Sequence, residues 1–331
     1  MKKSTLIFAA LFASSFAMAQ NTATTTQTGD GNDASQNQSG NNAATILSVG
    51  NGNEAYQAQV GSNTASISQQ GEATTSQVTY SNYALQDQIG QGNEANIRQR
   101  EQGNGTAVQN QEGNNNTADI YQRNPWGGAV PGNMSYQDQI GNNNKAEASI
   151  FNGPGNNSSQ IQEGNFNYSR LVQSGGENTA IHLQTEGDRN YAFSTQNGGS
   201  SVYIDQEGSD NIATTTQSGA ENLIEIYQVG DRNNTGVIPY WEASDRGIIQ
   251  TGLENTARLY QDGDDNNHLI RQDGDLNEAS VVVFGDSNIG VILQTGVSNF
   301  ALIDQSGSAH NASITQTGMG NTANVMQSGN Y

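Results

Sequence analysis

One period constrains this chain more than any other feature. In its C-terminal third Gln250, Gln261, Gln272, Gln294, Gln305, Gln316 and Gln327 fall on an eleven-residue grid, with Val283 in the same slot between Gln272 and Gln294. A glycine follows two residues after every slot, and Asn255, Asn266, Asn277, Asn288, Asn299 and Asn321 stand six residues before, with His310 as the exception. Alanine recurs two residues after asparagine, as in Ala257, Ala279, Ala301 and Ala323. The unit reads N-x-A-x-Φ-x-Q-x-G-x-x, where Φ is aliphatic or similar. It begins at Asn21, Ala23 and Gln27, and degenerate copies included, the chain holds 28 such units. Self-similarity on this scale has to be settled before any division into domains.

Seven of the eleven positions alternate, which predicts a short strand with one marked face. The remaining x-G-x-x predicts a turn, since glycine adopts positive φ without a Cβ penalty. A period of two and a glycine in every unit oppose helix, and glycine is not every third residue, which excludes a collagen-like chain. One strand-turn unit cannot bury its marked face alone; two make a 22-residue strand-arc-strand rung. The expected fold is all-β: a β-solenoid of about fourteen stacked rungs over residues 20–331, with two facing parallel sheets in a cross-β arrangement. The small alanine slot lets the sheets close, while inward Asn and Gln form ladders along the stack. The expected ladder residues are Asn255, Ala257, Gln261, Gln272, Asn277, Ala279, Gln294, Asn299, Ala301, Gln305, Gln316, Asn321, Ala323 and Gln327.

Composition alone permits disorder, because 33% hydrophobic residues and a net charge of −20 leave little apolar surface to offset chain entropy. The periodic order argues instead for stacked strands. "MKKSTLIFAALFASSFAMAQ" reads as a secretory signal over residues 1–19, with Lys2 and Lys3, an apolar run from Thr5 to Ala17, and the small-x-small site Ala17-Met18-Ala19. Without it, 10 basic and 32 acidic residues remain, which argues against nucleic acid as a partner. No cysteine is present, so no disulfide staples the chain.

The grid is disturbed in several places. Turn lengths vary by one residue near Arg100–Asn104 and Asn197–Gly199, and the phase is compressed around residues 70–77. Two larger interruptions lie near 123–132, which contains Pro125, Trp126 and Pro131, and near 229–243, which contains Trp241. The first reads as a projecting loop. The second spans 22 residues between Gln228 and Gln250, leaving room for a degenerate unit of Asn233, Thr235, Val237 and Pro239. Each tryptophan either packs its loop on the column or is offered to a sugar, a surface or another subunit.

No catalytic constellation emerges, so no enzymatic activity and no cofactor are expected. His182, His268 and His310 fall on the inward parity, in different slots and far apart, and read as substitutes in polar ladder positions rather than as a metal site. Acidic residues gather in turns: Glu112, Glu163, Glu186, Glu207, Asp262, Asp264, Asp265, Asp273 and Asp275. They suggest a solvated acidic rim, with weak divalent-cation binding as the sharper alternative.

Units such as "QTGLENTARLYQDG", "QSGSAHNASITQTG" and "QTGMGNTANVMQSG" resemble the curlin repeat, and the match runs in phase over nearly all of residues 21–327. The resemblance implies a subunit of a secreted bacterial functional amyloid, a curli-like fibre used in biofilm matrix and surface adhesion. It also implies self-association as a homopolymer, export through an outer-membrane secretion pore, and a related nucleator subunit as partner. The family's core positions carry over to Asn255, Ala257 and Gln261, and to Asn321, Ala323 and Gln327. The chain departs from the familiar major subunit in holding many more rungs, and no separate polar targeting segment stands between the signal-like residues and the first repeat. A specialised nucleating subunit and a non-polymerising solenoid adhesin remain alternatives. Ice binding is disfavoured, because Thr24–Thr26 and Thr214–Thr216 do not extend into a long outward threonine register.

Overall fold

A computed structural model describes residues 20–70, 81–100, 104–123, 132–235 and 247–329. They form two compact units, one up to Asn156 and one from Asn157. Each unit is all-β, a β-solenoid of stacked rungs with parallel sheets. The strand Thr256–Asp262 shows why these segments extend. Ala257, Leu259 and Gln261 are buried while Thr256, Arg258 and Tyr260 point outward, so every second residue packs against the opposite sheet.

In the unit from Asn157, each strand pairs in parallel with the strand two units further along the chain. Thr256–Asp262 lies on Glu278–Phe284 with Ala257 opposite Ala279, and that strand lies on Phe300–Ser306 with Ala279 opposite Ala301. The facing sheet stacks Asn267–Asp275, Ile289–Val297 and Asn311–Met319 with equal register. A slip by one residue would turn every buried amide to solvent, so the side-chain parity enforces this register. Between the sheets lie Leu259, Ile270, Val281, Ile292, Ile303 and Ile314, with the alanines beside them.

In the other unit, Glu54–Gln70 and Tyr83–Arg100 each run through an arc and contribute to both sheets. Their first halves continue into Thr106–Asn114 and Met134–Asn142, their second halves into Thr117–Arg123 and Lys145–Phe151. Ile46, Ile67, Ile97 and Ile120 form its apolar strip with Ala55, Ala84 and Ala107.

Two of the twenty-eight units counted from the grid are not levels of the stack, so the described residues hold fewer than fourteen rungs. Glu54–Gln70 pairs directly with Tyr83–Arg100, leaving no level between them for the compressed phase near residues 70–77, most of which lies outside the described residues. The 22-residue interval before Gln250 also holds one level rather than two. Asn233 and Thr235 occupy the first slots as expected, but the strand Ile248–Thr251 supplies the rest, and both pieces pair with Ile212–Ser218 and Asn267–Asp275. The ladder positions assigned to Val237 and Pro239 therefore belong to Ile248 and Gln250, because an inserted segment splits the strand after its second inward residue. Val237, Pro239, Trp241, Pro125, Trp126 and Pro131 lie outside the described residues.

The arcs combine two left-handed backbone positions. Gly274 has φ +117°, and an added Cβ would fall 2.1 Å from the carbonyl oxygen of Gly296 on the next rung. Glycine is thus required by rung-to-rung approach as well as by φ. Two residues later Leu276 has φ 58°, and Glu254, Asp265, Ser287 and Ser298 repeat that conformation, each before an asparagine, as Ala309 does before His310. A non-glycine residue pays about 1–2 kcal/mol there, which the following asparagine offsets by bonding the arc on both sides. Gly274→Ala is expected to destabilise the unassembled chain by roughly 2 kcal/mol or more, whereas Leu276→Asn is expected to leave it unchanged or slightly more stable, both read from urea unfolding midpoints.

Candidate functional site

The most distinctive arrangement in the molecule is a set of buried amide columns running along the rungs. In the unit from Asn157, one sheet carries Gln162, Gln184, Gln206, Gln228 and Gln261, and each Nε2 donates to the Oε1 of the next at 2.8–2.9 Å. The facing sheet carries Gln173, Gln196, Gln217, Gln250, Gln272, Gln294 and Gln316, linked in the same direction at 2.8–3.1 Å. The second Nε2 proton crosses the core. Gln272 donates to Thr256 O at 2.9 Å, Gln294 to Glu278 O at 3.0 Å and Gln316 to Phe300 O at 2.9 Å. One side chain therefore ties rung to rung and sheet to sheet. A buried amide lacking those partners would lose about 1–3 kcal/mol.

Asparagine closes the arcs. Asn255 Oδ1 accepts the Asn277 backbone N–H at 3.0 Å, and Asn277 and Asn299 repeat this bond toward Asn299 and Asn321 at 3.1 and 3.0 Å. Asn277 Nδ2 also donates to Gly296 O at 2.8 Å. The sequence-expected residues Asn255, Asn277, Asn299 and Asn321 thus form one column, and Gln272, Gln294 and Gln316 another. Ala257, Ala279 and Ala301 stack on one another in the small slot, with Ala323 continuing the register.

The column that contains Gln261 is broken and repaired. Val283 stands between Gln261 and Gln305 and offers no amide. His268 reaches across from the small slot of the opposite sheet, with Nδ1 2.8 Å from Gln261 Nε2 and Nε2 2.8 Å from Gln305 Oε1. Gln261 is a donor there, so Nδ1 accepts and Nε2–H donates, and the imidazole relays the column without reversing its direction. Space for the ring comes from Gly290, which lies next to His268 in register. A Cβ at that glycine would fall 2.4 Å from His268 Cδ2. Beyond the repair, Gln305 donates to Gln327 at 2.9 Å.

The other unit meets a similar fault on the donor side. Ile150 takes the glutamine slot above Gln122, and Gln122 Nε2 donates instead to Ser135 Oγ at 3.0 Å, a hydroxyl in the opposite small slot. This unit also holds a column absent from the expected ladder set. Gln36, Gln57, Gln86, Gln109 and Gln137 occupy the Φ slot of one sheet and bond in series at 2.8–2.9 Å. It runs beside Gln38, Gln59, Gln88, Gln111 and Gln139. Its signal was present as Q-x-Q at spacing two.

Of the histidines, only His310 stands in an asparagine slot; its backbone N–H donates to Asn288 Oδ1 at 2.9 Å, and its Nε2 lies 3.1 Å from Ser306 O, where the asparagines place their Nδ2. His182 sits in a Φ slot, fully buried between Ser169 Oγ at 2.9 Å and Ser194 Oγ at 2.6 Å. Burial pushes its pKa down to about 3, and burial, opposed by the Gln305 bond, brings His268 down to about 4. The reading of all three as ladder substitutes holds for His310 and, through its bridge, for His268. His182 belongs to a separate hydroxyl chain, enclosed and shut off from substrate.

The acidic turns are used internally. Asp231, Asp264 and Asp286 each accept a backbone N–H from the preceding rung at 2.8–2.9 Å. Asp265 pairs with Arg232 at 2.7 Å and Asp210 with Arg189 at 2.7 Å, contacts that lower both carboxyl pKa values. Among the described residues no group of three or more His, Cys, Asp or Glu side chains gathers to hold a metal ion.

At the outer edges the columns stop. Thr322–Ser328 pairs with Phe300–Ser306 and Asn311–Met319 with Ile289–Val297; among the described residues neither has a strand on its other side. Gln327 Nε2 donates to Asn311 O at 2.9 Å, and its second proton has no partner among the described residues. Thr22–Thr28 and Asp33–Gly40 are likewise paired on one side only.

The His268 repair is testable by a mutant cycle. H268A is expected to cost about 2–4 kcal/mol, because it strands one donor and one acceptor in the core. G290A alone should also destabilise by driving a methyl into the imidazole. The triple variant H268A/V283Q/G290A restores the regular unit and is expected to recover most of the loss, a non-additivity that denaturant unfolding would reveal. The same pair of proteins gives a pH test. A histidine whose folded pKa lies near 4 and whose unfolded pKa lies near 6.5 stabilises the fold fully above 6.5 and progressively less as pH falls toward 4. The stability of the native chain relative to the triple variant should therefore decline across that window and level off below it.

Comparison with known families supports the repeat assignment over part of the chain. The family model for the curlin associated repeat matches residues 285–318, a stretch that includes Gln294, Asn299, Ala301, Gln305 and Gln316. No curated protein matches the chain. The curlin-repeat match and the stacked parallel solenoid are together consistent with the curli superfamily and with fibre proteins of the functional-amyloid type found at bacterial surfaces.

Proposed function

We propose that the chain is a structural, non-catalytic subunit of an extracellular curli-like amyloid fibre that self-assembles end to end in a biofilm matrix and promotes surface adhesion. The observation that carries this reading is the amide ladder that, among the described residues, reaches a strand edge with its bonding capacity open. Gln327 and Gln316 present the pattern of the interior on strands paired on one side only, and such an edge is a template for another chain of the same pattern. The signal-like residues 1–19 support export, with an outer-membrane pore and a related nucleator subunit as the partners that go with a fibre of this kind.

The test is an assembly time course of residues 20–331, following sedimentable fibre, seeding by preformed fibre, and a diffraction spacing near ~4.8 Å along the fibre axis. Seeded growth with that reflection is expected. A chain that stays monomeric and fails to seed at high concentration would overturn the reading in favour of a non-polymerising adhesin. Replacing Gln261, Gln272, Gln294 and Gln305 with Ala removes members of both columns, and each loss leaves a partner unsatisfied at about 1–3 kcal/mol. The variant is expected to assemble more slowly and to melt earlier; identical kinetics and melting would remove the amides from the mechanism.

A further inference from the structure

The outer face of the unit from Asn157 carries an aromatic column that the ladder function leaves unused. Tyr227 and Tyr260 are register partners on neighbouring parallel strands. Tyr203 lies diagonally next to Tyr227, ring centroids 5.3 Å apart with planes tilted by 40°. Phe284 follows Tyr260 at 5.5 Å and ends the run with a ring that lacks a hydroxyl. Tyr227, in the middle, is 38% exposed, so a reagent in solution can reach the centre of the column. Tyr203 donates its hydroxyl hydrogen to Asp205 Oδ2 at 3.1 Å.

We propose that Tyr203, Tyr227 and Tyr260 form a site of oxidative tyrosine coupling, in which a peroxide-driven one-electron oxidant joins adjacent rungs through a carbon–carbon bond. Two phenols each lose one electron and the hydroxyl proton, giving two phenoxyl radicals. The radicals couple between ring carbons ortho to oxygen, and the ring hydrogens displaced at the new bond move to the oxygens as aromaticity returns. The net change is loss of two protons and two electrons, which convert one hydrogen peroxide into two waters through a haem peroxidase. The geometry favours this step twice over. The Tyr203 and Tyr227 rings already lie 5.3 Å apart and Tyr227 and Tyr260 are cross-strand register partners, so coupling needs a rotation about χ1 and χ2 rather than a chance encounter. The Asp205 carboxylate accepts the proton that a phenol has to release on oxidation. Burial, with Asp205 beside it, raises the Tyr203 pKa to about 12, so the group enters the reaction protonated and that acceptor matters.

The experiment treats the full unassembled chain, dilute, with a haem peroxidase and hydrogen peroxide, and then digests it with a protease that cleaves after Asp and Glu. Cleavage at Asp205, Glu225 and Asp262 separates the three tyrosines; Tyr191 stays on the fragment of Tyr203, so a link on that fragment is assigned to one ring or the other by tandem mass spectrometry. Links from Tyr227 to Tyr203 or to Tyr260 are expected within single chains, and they should be lost when the chain is oxidised unfolded. Tyr168 and Tyr191, register partners with centroids 5.2 Å apart, provide an internal control. Y227F, which keeps the ring and its packing, should abolish links on this column while the Tyr168–Tyr191 link persists. D205N should slow the Tyr203–Tyr227 link relative to that control and change its pH profile. Links scattered as in the unfolded chain, links on this column that survive Y227F, or the absence of links at Tyr227 would each overturn the proposal. None of these outcomes depends on whether the chain forms fibres.

Discussion

A buried primary amide has two donors and an acceptor to satisfy, and in this protein one geometry meets all three. An inward glutamine of the regular stretch, such as Gln272, gives one proton to the next rung and one to the opposite sheet, and it receives one from the rung before. That requirement fixes the register, because a strand displaced by one residue would expose the amides, and one displaced by two would set them against the aliphatic slot. The apolar strip of Leu259, Val281 and Ile303 supplies cohesion without direction. The amides supply direction. Polar composition, which in most chains signals disorder, here specifies a stack.

Much of this was legible from spacing. The glutamine and asparagine slots, their inward parity, the alanine between the sheets and the glycine in each arc follow from an eleven-residue count, and the observed partners of Gln272, Asn277 and Gln294 are those the count implies. The second glutamine column through Gln57 and Gln86 was also visible, yet it stood in a slot read as aliphatic. The His268 bridge was not legible. It joins a histidine, a valine and a glycine that lie on three strands and two sheets, and only knowledge of which rung faces which connects them. The split strand at Thr235 and Ile248 escaped for a related reason. A spacing of twice eleven mimics two units when an insertion has the length of one.

Where the repeat fails, the failures are paired. Val283 and Ile150 each remove an amide, and each is met from the small slot across the core, once by His268 and once by Ser135. In both places a hydrogen-bonding residue in the opposite small slot takes up the donor that the aliphatic residue leaves. The arcs show the same economy. Left-handed residues such as Leu276 and Ser298 accept local strain, and the asparagine that follows binds both neighbouring rungs. Asp231, Asp264, Asp265 and Asp286 in the arcs are drawn into backbone N–H and arginine contacts.

The three residues of the His268 bridge have a consequence for how such a gene can change. Tandem repeats readily gain or lose copies by unequal recombination, and in a stack of interchangeable rungs one copy more or less would be harmless. Between Thr256 and Val297 the rungs are not interchangeable. A crossover that deleted the segment around Val283 would strand an imidazole against an intact amide column, and one that moved Gly290 would place a methyl inside its ring. Losing one member of the trio thus carries a stability cost that losing a regular unit elsewhere would not.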